Sequence, residues 1–134
     1  MDCSPIYVEI AEWLDRPFLK EEILNVVMFL NKEKALGPDG FTIGFYHECW
    51  ETIKDDLLRV FLEFHNNGII NQSTNATFIV LVPKKSQTSR ISDYRPINLV
   101  TNLYKIIAKV LSRHLCKVLQ DTIYLTQGAF VKGR

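Results

Sequence analysis

Cysteine is scarce in this chain and badly spaced for cross-linking. Cys3, Cys49 and Cys116 are three in number, so a complete set of internal disulfides is impossible, and no Cys-x-x-Cys pair exists. Free thiols in a reducing compartment are expected. Metal ligands are equally thin: His47 and Cys49 sit two apart, His65 and His114 lie elsewhere, and no fourth ligand falls at metal spacing, so no metal site is expected. Long apolar runs are missing too. Phe78 to Val82 and Val26 to Leu30 are the longest, far short of a bilayer span, and Met1-Asp2-Cys3-Ser4-Pro5 lacks the cationic start and apolar core of a secretory leader. Neither a membrane nor secretion is indicated, and an intracellular location follows, nuclear or cytoplasmic. There is no internal repeat and no low-complexity tract.

Carboxylates are nearly absent after residue 82, where only Asp93 and Asp121 remain. The formal net charge of +1 therefore hides a division. Residues 1–82 hold 6 Lys and Arg against 13 Asp and Glu, a net −7, whereas residues 83–134 hold 10 against 2, a net +8. Such asymmetry points to an anionic partner for the basic half, nucleic acid above all. The alternative is that the two halves dock on each other. With 134 residues and a 47 % apolar fraction, the chain is long enough for one domain with a core.

Periodicity divides the chain. Ile23, Val26, Val27 and Leu30 fall at helical spacing, with Glu21 and Glu22 near the N-terminal end, so a helix is expected over Lys20 to Lys32; Leu19, just before it, is not an N-cap residue type, so a side-chain N-cap is expected to be missing. Gly37-Pro38-Asp39-Gly40 has turn chemistry. Thr42 to Trp50 and Asp55 to Asn66 read as a second helical region stopped by Asn66-Asn67-Gly68. Ala76 to Val82 reads as a strand, Lys84 to Ser92 as a loop, and a second strand begins near Tyr94. A last helix from Asn102 to about Gln120 carries Leu103, Ile106, Ile107, Val110, Leu111, Leu115, Val118 and Leu119 as an apolar stripe. Lys105, Lys109, Arg113 and Lys117 recur every four residues and are expected on the opposite face. Stacked like charges repel by several tenths of a kcal/mol per pair, about the size of helical ion-pair effects, so the row gains from an anion alongside. The other reading is a plain solvated face.

Lys84, Lys85 and Arg95 flank the strand-loop-strand and can close over one anionic group, Arg as a planar fork and Lys as a point charge. Without further context they read as surface cations guarding a strand edge. The fold class expected is α+β, mostly helical with a small antiparallel β-hairpin.

Four blocks carry a resemblance. They are Lys34-Ala35-Leu36-Gly37-Pro38-Asp39-Gly40-Phe41; Phe78-Ile79-Val80-Leu81-Val82-Pro83-Lys84-Lys85; Ser92-Asp93-Tyr94-Arg95-Pro96-Ile97-Asn98-Leu99 with Leu103-Tyr104-Lys105-Ile106-Ile107-Ala108-Lys109-Val110-Leu111; and Gln127-Gly128-Ala129-Phe130-Val131-Lys132-Gly133-Arg134. In this order they resemble the reverse transcriptase of LINE-type (non-LTR) retrotransposons, plant elements most of all. Met1 to Asp15 is unplaced by them. The resemblance implies a partial reverse transcriptase domain over residues 1–134, the fingers and the start of the palm of a right-hand polymerase.

It further implies that Lys84, Lys85 and Arg95 hold the triphosphate of an incoming dNTP, with the choice between the two lysines open. It places the loop bearing Gly37 and Asp39 beside the RNA template, and Gln127 and Phe130 near the path of template and DNA primer. Gly128 stands where a small hydroxyl residue is common in the family, and Leu36 where a small residue is common. Mg²⁺ is implied for the intact enzyme, held by carboxylate motifs that come later in the family's order than the Gln127–Arg134 block. No residue of this chain is therefore a catalytic or metal-binding candidate, and the chain by itself is expected to be inactive. The alternatives are a non-catalytic nucleic-acid-binding remnant and a decayed helical interaction module.

Overall fold

A computed structural model describes residues 7–122; for Lys117 and residues 120–122 it describes the backbone alone. Gln127, Phe130 and the rest of the last motif block lie outside the described residues. The elements in chain order are α1 (Val8–Asp15), α2 (Lys20–Phe29), α3 (Ile43–Glu48), α4 (Trp50–Asn67), β1 (Thr77–Pro83), a 3-10 turn (Ile91–Asp93), β2 (Tyr94–Val100) and α5 (Asn102–Thr122). The chain is thus α+β, mostly helical, with a two-stranded antiparallel sheet.

The helices build one core. Ile23, Val26 and Val27 from α2, Ile43 and Tyr46 from α3, Trp50, Leu57 and Phe61 from α4, and Ile106, Ile107 and Val110 from α5 are all buried around Phe18. The packing of α2 on α5 is apolar apart from one polar contact, between Glu22 and His114. Among the described residues, no ion pair joins a Lys or Arg of the basic half to a carboxylate of the acidic half; the ionisable pair that does cross between them is His114 with Glu22.

Several expectations need correction. Helix α2 ends at Phe29 rather than Lys32, because Leu30 turns extended (φ −71°, ψ 141°) and the Asn31 side chain accepts the Glu33 N–H at 2.9 Å in a local turn. The absent N-cap at Leu19 is half replaced: the Glu22 carboxylate reaches back to accept the Leu19 N–H at 2.9 Å. Thr42 caps α3 by accepting the Phe45 N–H at 3.0 Å. Helix α4 runs unbroken from Trp50, so residues 51–54 are helical and not a gap. It ends as expected at Gly68, whose φ of 66° suits glycine.

Residues 8–15, which no motif placed, form α1. It buries none of its residues fully, and it is held instead by polar and ring contacts. The Arg16 guanidinium donates to Glu22 at 2.5 Å and lies 4.9 Å from the Trp13 ring centre; Trp13 packs on His114 with ring centres 4.7 Å apart. His114, buried, meets the same Glu22 carboxylate at 3.2 Å. The apolar stripe of α5 accordingly runs through Ile107, Val110, His114 and Val118, leaving Leu115, expected on it, 51 % exposed.

The start of α5 fixes the loops. Thr101, buried, donates to the Thr74 carbonyl at 2.5 Å and accepts the Tyr104 N–H at 3.2 Å. Asn102, also buried, donates to the Phe41 carbonyl at 2.6 Å. Beside them Gly37 lies against the backbone of Val100 and Thr101, where a Cβ would stand 2.4 Å from the Val100 carbonyl oxygen. The glycine is there for close approach of two backbones.

Two outcomes follow. Gly37→Ala forces backbone against backbone and is expected to lower stability by about 1–3 kcal/mol, seen as a lower urea midpoint at constant slope; an unchanged midpoint refutes the contact. For Glu22, burial pushes the carboxyl up, but hydrogen bonds from Leu19, Arg16 and His114 outweigh it and hold the group below its ordinary value of 4.5. The stability it contributes is present above that value and is lost as pH falls through the lowered one. Glu22→Gln should therefore be less stable than wild type at pH 7 and show a shallower loss on acidification; parallel acid-unfolding curves would contradict this.

Candidate nucleic-acid interface

The α5 cations do not sit where the four-residue spacing suggested. Residues three apart on a helix differ by about 60° in direction, so Lys109 stands next to Ile106, and Arg113 next to Val110, on the margin of the buried stripe rather than opposite it. This puts them at the seam with α2. The Lys109 ammonium lies 5.4 Å, and the Arg113 guanidinium carbon 5.1 Å, from the centre of the Phe29 ring. Phe29 is exposed, and its ring attracts both cations, each by about 0.5–1 kcal/mol at such a site.

Lys105 continues the row toward the 31–36 loop. Its ammonium donates to Asn102 Oδ1 at 3.0 Å and reaches the Ala35 carbonyl at 3.5 Å. Burial, and then the like charge of Lys34, push it below its ordinary value against the pull of Asp39. Lys34, Tyr104, Lys105, Ala108, Lys109 and Ser112 share one shallow groove of about 310 Å³. The side chain of Lys117 is not described. Among the described residues, Lys105, Lys109 and Arg113 have no carboxylate partner, and the row spans about 12 Å of helix. Cations interleaved with the rings of Phe29 and Tyr104 form an electropositive track that can take both the phosphates and the bases of a single strand.

The hairpin arranges its cations differently. In the register Val82 faces Arg95, and Pro83 faces Tyr94. The Lys84 N–H donates to the Asp93 carbonyl at 2.8 Å and its ammonium to the Ser92 carbonyl at 2.9 Å. Lys85 pairs with Asp93 at 3.0 Å. The other oxygen of Asp93 accepts the N–H groups of Ser89 and Arg90, both at 3.2 Å. Lys85 first, then these two backbone donors, hold the Asp93 carboxyl below its ordinary value. Both lysines thus brace the 84–93 loop, while Arg95, exposed, has no ion-pair partner among the described residues. The trio stands at one end of the hairpin with only Arg95 uncommitted.

Other expected residues take structural parts. Gly37 makes the backbone contact described above. Asp39 accepts the Phe41 N–H at 3.3 Å within the turn, and its charge, after burial, helps raise the Tyr46 hydroxyl to about 12. Sequence reading missed Phe29, because a phenylalanine in a helical apolar pattern reads as core, and Asp93, whose role as loop anchor rests on tertiary contacts. For the Mg²⁺ that the resemblance implies, grouped carboxylates are required; among the described residues no three His, Cys, Asp or Glu side chains stand together to hold a metal ion. These residues do not fit that ion.

No protein-family model matches the chain. It is similar to a protein of Xenopus laevis described as "Transposon TX1 uncharacterized 149 kDa protein", with 33 % identity over 123 residues. The match covers 92 % of this chain, which spans 9 % of the length of that protein. Taken with the four motif blocks, the similarity supports a non-LTR retrotransposon origin for the chain.

Proposed function

We propose that this chain is the fingers portion, and the start of the palm, of a reverse transcriptase from a LINE-type element of the kind found in plants, and that its part in that RNA-directed DNA polymerase is to hold RNA template. The single strand lies along the seam of α2 and α5. The observation that carries this reading is the placement of Lys109 and Arg113 over the exposed Phe29 ring, continued by Lys105, with no carboxylate in ion-pair contact with them among the described residues. A strand laid there relieves the repulsion within the row and stacks bases on the rings. Arg95, at the mouth of the hairpin, is the residue free to meet the phosphates of an incoming dNTP, with Lys84 and Lys85 shaping the loop beside it. The motif resemblance supports this second contact.

The hairpin supports the right-hand polymerase reading in another way. Every residue of β1 is exposed, including Phe78, Ile79 and Leu81. Apolar strands this bare mark a surface that meets other structure, and in a polymerase they face further parts of the enzyme.

Replacing Lys105, Lys109 and Arg113 together by Glu is expected to abolish retention of single-stranded RNA on filters. In the wild type that retention should weaken steeply as salt rises, since counterions are released from each phosphate contact. Retention unchanged in the triple variant would overturn the RNA reading and favour a protein-interaction module.

A further inference from the structure

Just beyond Arg113 the seam opens into a cleft of about 150 Å³ between α1, α2 and α5. Its floor is Val26 and Val110, both buried; its walls are the Trp13 and His114 rings, and its rim carries Asn25 and Arg113. A cavity of about this size admits one aromatic ring. The rim groups are available: Asn25 is exposed, and among the described residues neither its amide nor the Arg113 guanidinium makes a hydrogen bond within the chain. Glu22, the acid at the back, is engaged by Arg16, His114 and the Leu19 N–H, so it presents no bare charge to a ligand.

We propose that this cleft receives a single nucleobase turned out of the bound strand. The inference rests on the RNA reading of the α2–α5 seam. Arg113 belongs to both features, so a strand whose phosphates follow Lys105, Lys109 and Arg113 delivers its next base to the mouth of the cleft. There the flat ring meets the aromatic and apolar lining, and its polar edge meets the Asn25 amide and the Arg113 fork. Single-stranded RNA is read in this way, by unstacked bases placed on aromatic rings and hydrogen-bonded at their edges.

Two measurements test it. In the Trp50→Phe chain, Trp13 is the sole tryptophan, and its emission should be quenched saturably by adenosine 5′-monophosphate but not by ribose 5-phosphate. Absence of saturable quenching overturns the cleft whatever the variants do, including the case where Trp13→Leu does not fold. By fluorescence anisotropy with a labelled single-stranded RNA, Trp13→Leu and Asn25→Leu should each weaken binding, the former by about 5- to 150-fold, with the slope against log salt unchanged because no cation is lost. If both bind like wild type while the Lys105, Lys109 and Arg113 triple variant does not, the cleft falls and the track stands. If the triple variant also binds like wild type, the RNA reading itself falls.

Discussion

Everything else in the molecule hangs on the apolar contact between α2 and α5. Ile23, Val26 and Val27 meet the side of α5 that carries Ile106, Ile107 and Val110, and all six are essentially inaccessible to water. Burying one such side chain is worth about 1.5–3 kcal/mol. Because the centre of the contact is apolar, with Glu22 and His114 meeting only at its edge, it sets how close the helices come without engaging a Lys or Arg of α5, and the cations beside the stripe are left on the rim. The electropositive track is a by-product of where the core had to be.

Around that contact the chain uses polar groups sparingly and at the joints. His47 donates from Nε2 to the Val27 carbonyl at 2.5 Å, tying α3 to the end of α2, and His65 does the same to the Asp15 carbonyl at 2.7 Å, tying α4 to the end of α1. Helix C-termini leave carbonyls short of partners; His65 supplies a donor to Asp15, and His47 adds a second donor to the Val27 carbonyl, which also accepts the Leu30 N–H at 3.3 Å. No buried side-chain nitrogen or oxygen among the described residues lacks a hydrogen-bond partner, as expected for a packed interior.

The sequence was most legible where local chemistry is strong. The hairpin and α5 were visible from β-branched residues, proline and unbroken periodicity, and α4 was visible apart from its first turn. Helix α1 was not, because a short helix that buries nothing fully leaves little periodic signal. Lys105, Lys109 and Arg113 do fall in one row, but on the margin of the buried stripe of α5 and not opposite it: spacing of four gives a shared face without saying which, and the position of Ile106 and Val110 decides it. Phe29 and the cleft were out of reach, since both depend on residues about 80 to 100 positions apart in the chain being brought together, which no local pattern encodes.

The close approach of Gly37 to Val100, together with the hydrogen bond from Asn102 to Phe41, has a mechanical meaning. The 37–41 turn is bolted to the first turn of α5 by a contact with no slack on one side and a buried amide on the other. A force that tilts α5 is therefore carried to the turn as a rigid displacement instead of being absorbed in the loop. The same joint anchors the base of β2, two residues before α5 begins. Hairpin, turn and helix thus meet at one joint.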